Sequence, residues 1–430
     1  MENLQIIRDW IRRIRKKSHF RYRFISFDES ADWRFRGGSL RHNSDHFFRI
    51  IGVKWKPFRG KMVSQPLIDQ REIGLLAFLM RKKKTGNEIL VQAKLEPGNI
   101  GFVQLAPTCQ ATESNTRCFH GGKKPPFADY FQSTTNYLYD IRQSEQGTRF
   151  FGKRNRNILA WAPKKVRKTE LHRWLKVSEM LDLLKKDFLI NTDARSVLVC
   201  SPWDQLIGWE PFARHKKGFG AELRKSYCET AGFLELRRIK SEIRKRRMVA
   251  ENVRINSLEK IAGWIFGADS ISKSDGKEFS VRQIQVRADG REVSEWDQPI
   301  VSSTGSGIIR LICGRRSGVL YFLFRAIEEP GLFNRVELMP SITVSLGDLP
   351  NKGDIFVRGI VRSRCRQSEE GGRFFRDVND FQIVDVGHYP EKDEKNYYWL
   401  TLWQIRRLLD EAGWFTNEAR SALSLILPWL

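Results

Sequence analysis

The chain has no long apolar run: nowhere do its 430 residues gather the roughly 18 consecutive apolar side chains a membrane-spanning helix needs. Cysteine is scarce and scattered, at positions 109, 118, 200, 228, 313 and 365. No C-x-x-C pair occurs among them, which removes the signal for a zinc knuckle or a dithiol redox motif. Lone cysteines of this kind pack as small hydrophobes in a reducing compartment, so a cytoplasmic location is expected. Acid is short against base, 50 Asp and Glu against 75 Lys and Arg, for a formal net charge of +25. Such an excess favours polyanionic partners, whether nucleic acid, anionic membrane or nucleotide, without choosing among them. The first twenty residues set Ile6, Ile7, Trp10, Ile11 and Ile14 among six basic residues. With no continuous apolar core and no small-residue cleavage site, they read as a solvated basic first helix and not as a secretory signal. Lying on a membrane or on RNA is the other reading open to them.

What the chain does contain is itself, twice. Gln65-Pro66 and Gln298-Pro299 differ by 233 positions, as do Glu96-Pro97-Gly98 and Glu329-Pro330-Gly331, Leu105 and Leu338, and Pro107 and Pro340. Further on, Gln143-Ser144-Glu145 answers Gln367-Ser368-Glu369 at an offset of 224, each followed by Arg-Phe-Phe. Trp174-Leu175 returns at 399–400, and Ala194-Arg195-Ser196 at 419–421. A collinear series of this length marks a tandem duplication. The expected repeats span 1–212 and 248–430, joined by a charged connecting helix within 213–247.

Alternating and β-branched runs predict strands at Phe47–Val53, Ile73–Met80, Glu88–Leu95 and Gly101–Leu105 in the first repeat. The second should carry them at Val281–Val286, Gly307–Cys313, Val319–Ile327 and Arg335–Leu338. Apolar stripes after Ser178 and Thr401 predict helices, and Asn191 and Thr416 offer N-caps to the last helix of each repeat. The expected class is α+β: a mixed sheet with helices packed on it, twice.

The densest polar stretch runs from Leu105 to Asn157. It reads QLAPTCQAT from Gln104, then Ser114-Asn115, His120-Gly121-Gly122, QSEQG from Gln143, Arg149-Phe150, and KRNRN from Lys153. In this combination the chain resembles the NDP-hexose 2,3-dehydratases of deoxysugar biosynthesis, over essentially its whole length. The resemblance implies a duplicated Nudix-like fold, a homodimer, and a dTDP-linked 4-keto-6-deoxyhexose as substrate. It implies loss of the C2 hydroxyl to leave a 3,4-diketo-2,6-dideoxy sugar, which a separate 3-ketoreductase would take up.

That chemistry sets requirements. The C4 ketone acidifies the hydrogen on C3; a base must take that proton, a donor must hold the C4 enolate oxygen, and an acid must protonate the departing hydroxyl. No cofactor is called for. His120, titrating near neutrality, is the first candidate for base or acid, with Tyr130 and Glu145 next. Lys153 could polarise the C4 ketone or bind phosphate. Arg149, Arg154 and Arg156 could answer the diphosphate. Around them Gln65, Thr108, Gln110, Ser114, Asn115, Gly121, Gly122, Gln143, Ser144, Gln146, Gly147, Thr148 and Asn155 are expected to contact substrate. In the second repeat, Trp296, Gln298, Arg325, Gln367, Glu369, Gly372 and Arg373 would form a second pocket.

The copies differ in ways that favour the first as catalytic. The second lacks the His120-Gly121-Gly122 segment, and Lys153, Arg154 and Arg156 become Asp377, Val378 and Asp380. One difference runs the other way: Trp296, suited to stacking on a nucleobase, faces Val63 in the first copy. Either another aromatic serves there or the two repeats share a pocket. A Nudix-type pyrophosphatase would need a magnesium-holding G-x5-E-x7-R-E-x2-E-E helix, and neither half has one, so no metal is expected. A nucleic-acid-binding protein would need stacking platforms interleaved with basic residues or a known module, and none is found.

Overall fold

The computed structural model describes residues 2–57, 60–250, 253–345, 359–388 and 395–430. The predicted strands form at 49–55, 74–83, 86–95 and 103–106, and again at 279–287, 307–316, 319–328 and 336–340. The helices are α1 (Glu2–Lys17), α2 (Glu113–Thr116), α3 (Ala128–Ser133), α4 (Val177–Leu183), α5 (Thr192–Cys200), α6 (Trp203–Ile207), α7 (Gly218–Cys228), α8 (Phe233–Val249), α9 (Leu402–Leu409) and α10 (Asn417–Leu423). The expected caps are in place: the Asn191 side chain accepts from Ala194 N–H, and that of Thr416 from Ala419 N–H.

Each half carries one large mixed sheet of seven strands and one small antiparallel sheet of five. In the large sheets a parallel pair sits among antiparallel ones: Arg154–Trp161 beside Gly74–Lys83, and Val378–His388 beside Gly307–Arg316. The chain is therefore mixed α and β in two similar sheet-rich halves.

The small sheets are not each built from one half. Arg21–Ile25, early in the chain, pairs with Phe279–Arg287. Arg254–Asn256 returns the exchange by pairing with Lys54, Val53 and Gly52. Arg21 and Arg254 are themselves 233 apart, so equivalent strands have traded places. The cores merge as well: one buried cluster takes in α1 and α4 to α6 from the first half, α8 to α10 from the second, and both large sheets.

Where one charged connecting helix was expected there are two, α7 and α8, and α8 is only partly solvated. Its Leu236, Ile239 and Ile243 are buried in the shared core as Ile7 and Ile11 of α1 are, and Leu4/Leu236, Ile7/Ile239 and Ile11/Ile243 all differ by 232. Part of its basic run is spent inward. Arg247 donates to the carbonyls of Val336 and Gly413 and stacks over Trp414, and Arg246 donates to the Ala326 carbonyl. α1 likewise seats its apolar face on its own protein. No helix among the described residues is long and apolar enough to cross a membrane.

The duplicated landmarks lock the halves together. Gly98 N–H donates to the Gly371 carbonyl at 2.8 Å, and Gly331 N–H to the Gly147 carbonyl at 2.8 Å. A Cβ on Gly98 would run into the carbonyl oxygen of Phe374, and one on Gly331 into that of Phe150. Each Glu-Pro-Gly turn thus presses backbone to backbone on the Gln-Ser-Glu loop of the other half, which only glycine permits. Below them α5 meets α10: Arg195 donates to Ser424 Oγ, and Arg420 to Ser196 Oγ and the Ser144 carbonyl.

Candidate active site

Between the halves lies a cleft open to solvent. Its wall comes from both copies. The first contributes Lys94, Glu96, Gln110, Asn115, Glu145, Lys153, Asn155 and Asp193; the second contributes Arg291, Trp296, Gln298, Glu370, Gly372 and Arg373. The expected second pocket is therefore corrected: Trp296, Gln298, Gly372 and Arg373 line the same cleft as Glu145 and Lys153. This follows from the interlock, since the Glu-Pro-Gly turn of one half abuts the Gln-Ser-Glu loop of the other.

The floor is acidic. Glu145 is buried, accepting from Asn155 Nδ2 at 2.6 Å and from Asn417 Nδ2 at 2.9 Å. Burial, reinforced by the nearby Glu370, pushes its carboxyl up to about 7. Glu96 accepts from Gln110 Nε2 at 2.9 Å and from Asn99 Nδ2 at 3.1 Å. Burial and Glu370 raise it too, to about 7. Asp193, in the first turn of α5, is raised well above the ordinary carboxylate range by burial and by Glu145, Glu370 and Glu96.

Cations face this floor. Lys153 donates from Nζ to the Glu72 carbonyl at 2.9 Å, and burial lowers its ammonium to about 8. Lys94 donates to the Gln110 carbonyl at 3.1 Å. Arg373 donates to Gln70 Oε1 at 3.2 Å, and burial lowers its guanidinium. Near the Trp296 indole the Arg291 guanidinium stands 5.6 Å from the ring centre, and the indole N–H donates to Gln298 Oε1 at 3.0 Å. An aromatic ring, two arginines, two lysines and three carboxyls with raised affinity for protons give the cleft groups that can bind an anionic ligand and move protons.

Several expected residues stand elsewhere. The basic cluster Lys153-Arg154-Asn155-Arg156 splits because successive side chains on a strand point to opposite faces. Lys153 and Asn155 enter the cleft, whereas Arg154 lies over the Phe333 ring and Arg156 pairs with Asp140. Arg149 stacks over Phe279 among Asp377, Glu278 and Glu329, the equivalent region of the other copy. Tyr130 donates to the Trp161 carbonyl at 2.6 Å, in the cluster behind the large sheet. His120 is not in the cleft wall. Its Nδ1 accepts from Gly122 N–H at 2.9 Å, its Nε2 is buried without a partner, and burial lowers it. Gly122 abuts the Glu292 carbonyl, so this loop braces the segment carrying Arg291; Gly121 is a turn residue with φ of 69°.

The rest of the motif is spent on architecture. Thr108 bonds between the strands at Leu79 and Leu90, and Ser114 binds Glu72 through both N–H and Oγ. Gln65 donates to the Thr148 carbonyl at 2.7 Å, as Gln298 does to that of Gly372 at 2.6 Å. Gln143, Ser144 and Gln146 bridge to Gly413, Glu337 and Glu369 in the other half, and Gly147 packs on Leu332. Gln367 reaches the Ser421 carbonyl, Glu369 accepts from Asn379, and Arg325 lies on Met339, all away from the cleft. Sequence reasoning missed Lys94, Glu96 as more than a turn residue, Asp193, Arg291 and Glu370. The signal available was asymmetry between copies: Lys94 faces Ile327, and Glu370 faces Gln146.

Comparison with known proteins agrees with this duplication. The family model for NDP-hexose 2,3-dehydratase matches residues 4–201 and again 236–426, the second match including most of α8. A dTDP-4-dehydro-6-deoxy-alpha-D-glucopyranose 2,3-dehydratase of Saccharopolyspora spinosa is 31% identical over 93% of this chain and 86% of its own. Proteins of the same name from Amycolatopsis orientalis and Streptomyces violaceoruber are 30% and 32% identical, over 98% and 90% of this chain and 89% and 88% of theirs. The chain belongs to the NDP-hexose 2,3-dehydratase family.

Proposed function

We propose that the protein is a sugar-nucleotide 2,3-dehydratase acting on a dTDP-linked 4-keto-6-deoxyhexose. The observation that carries this reading is the composite cleft, with Trp296 and Arg291 from one copy opposite Glu145 and Lys153 from the other. The thymine stacks on Trp296, and Arg291 and Arg373 face the diphosphate. At the sugar, Glu145 removes the C3 proton, and Lys153 donates to the C4 oxygen as charge builds on it. A fixed donor at a developing enolate and a positioned base each supply several orders of magnitude in rate. The C2 hydroxyl then leaves, and the enol relaxes to the 3-ketone. None of these steps exchanges electrons with a cofactor.

The two-sheet halves fit a duplicated Nudix-like ancestor that lacks the magnesium-holding glutamate helix. The enzyme would work in the cytoplasm as a homodimer and hand its unstable diketone to a 3-ketoreductase. Incubation with dTDP-4-keto-6-deoxyglucose in deuterated buffer tests the activity. The expected NMR result is loss of the C2 hydroxyl and entry of deuterium at C2; a surviving hydroxyl with no deuterium at C2 overturns it.

A further inference from the structure

The proposed chemistry leaves one role unfilled, the acid for the departing hydroxyl. We propose that Asp193 is that catalytic acid, its carboxyl donating the proton with which the C2 hydroxyl of the substrate leaves as water. The inference rests on the dehydratase reading and adds a residue that the sequence pattern did not single out.

Hydrogen bonding separates Asp193 from its neighbours. Glu145 accepts amide N–H bonds on both oxygens, and so does Glu96. Donors on both oxygens favour the carboxylate, the form a base needs. Asp193 lines the same cleft, is 2% exposed, and its Oδ1 is buried with no hydrogen-bond partner. A buried carboxyl oxygen without a donor is a poor place for negative charge. Its position in the first turn of α5 favours the carboxylate through the helix dipole. Against that stand burial and the carboxyls of Glu145, Glu370 and Glu96, with Lys94 as the compensating cation. The balance keeps the proton on Asp193, and a protonated carboxyl has an O–H to give. The equivalent residue of the other copy, Glu418, also has an unpartnered buried oxygen, but Ile327 and Asp377 stand there in place of Lys94 and Lys153. That side therefore lacks both lysines, and its Arg149 is held over the Phe279 ring among Asp377, Glu278 and Glu329.

The step balances. Glu145 takes the C3 proton, and the pair of electrons moves to the C4 oxygen facing Lys153. Those electrons return to form the C2–C3 double bond as the C2–O bond breaks, and the leaving oxygen takes the Asp193 proton to become water. The enol proton on the C3 oxygen is exchanged for one on C2. Proton transfer through solvent from Glu145 to Asp193 restores both groups.

The test compares two substrates, dTDP-4-keto-6-deoxyglucose and its 2-deoxy-2-fluoro analogue, whose fluoride leaves without a proton. Asp193→Asn should lower kcat on the hydroxyl substrate by about 10²–10⁴-fold, the usual worth of general acid help. The same variant should still exchange the C3 hydrogen with deuterium and release fluoride at close to wild-type rates. Near-normal turnover of the hydroxyl substrate, or an equal loss on both substrates, overturns the assignment. A second arm needs no variant. In the wild type, kcat on the hydroxyl substrate should fall at high pH before kcat on the fluoro analogue does, and parallel profiles overturn the proposal even if every Asp193 variant fails to fold. Failure of the dehydratase reading looks different: the wild type then converts neither substrate and exchanges no C3 hydrogen.

Discussion

At the scale of single residues, the cleft divides its labour by what each side chain already touches. Glu145 is held as an acceptor by two amides and raised by burial to about 7. Among the described residues Lys153 Nζ makes one hydrogen bond, to the Glu72 carbonyl, and burial lowers it to about 8. A base must be deprotonated and a donor protonated, so kcat on the fluoro analogue, which needs no acid, should rise through about pH 7 and fall above about pH 8, a narrow bell. Glu145→Gln should remove the rising limb along with about 10²-fold or more of kcat, and Lys153→Met the falling limb on that analogue. A flat profile in the wild type would contradict both roles. Trp296 belongs to binding and not to chemistry. Stacking of a base on an aromatic ring is worth about 1–3 kcal/mol, so Trp296→Ala should weaken dTDP binding roughly 5- to 150-fold by titration calorimetry. An unchanged Kd would move the base elsewhere.

At the scale of elements, two devices bring these residues together. Strand alternation sends Lys153 and Asn155 inward while Arg154 and Arg156 face away. The Glu-Pro-Gly turns then join each half to the loop of the other through matched N–H bonds from Gly98 and Gly331. Gly98→Ala forces a methyl group into the Phe374 carbonyl, and backbone has to move. Overpacking of this kind costs about 1–3 kcal/mol, and because the obstacle is backbone the cost should lie at or above the upper end. Denaturant unfolding measures it. Gly331→Ala should cost a similar amount, because its methyl group meets the Phe150 carbonyl, and should also lower kcat, because that loop runs from Glu145 to Lys153. Wild-type stability and kcat in both variants would deny that the turns hold the cleft together.

At the scale of the whole molecule, buried acid sets how stability responds to pH. Glu96, Glu145 and Glu337 are raised to about 7 and Glu369 to about 8, in each case chiefly by burial. Between pH 6.5 and 8 these carboxyls still bind protons in the folded state, while their unfolded counterparts have lost them. Stability therefore falls as pH rises across that window. The histidines lowered by burial, His42, His120 and His172, act below it, in the opposite sense. A Tm lower by several degrees at pH 8 than at pH 6.5 is expected, and a rise would contradict the buried-acid balance. Exchange of strands also makes the halves interdependent: residues 1–212 made alone lack Trp296, Arg291 and Arg373 and expose the edge that Arg254–Asn256 covers. That fragment should bind no dTDP, and folding with full binding would refute the composite site.

Much of this was legible in the chain. The duplication, the strand order, the caps at Asn191 and Thr416, and the family motif are local patterns, written in consecutive residues and in offsets of 233 and 224. Glu145 and Lys153 could be chosen because they stand in that motif. What could not be read was which copies share a wall. Trp296 and Val63 look like alternatives when each half is folded on its own, and become two different sites once Arg21–Ile25 and Arg254–Asn256 trade sheets. Asp193 and Lys94 lie on a helix and a strand whose own patterns say only that they form. Side-chain type and period are properties of the sequence. Burial, an unpartnered oxygen and the meeting of charges some hundreds of residues apart are properties of the packed interface, and those decided where this protein holds its substrate.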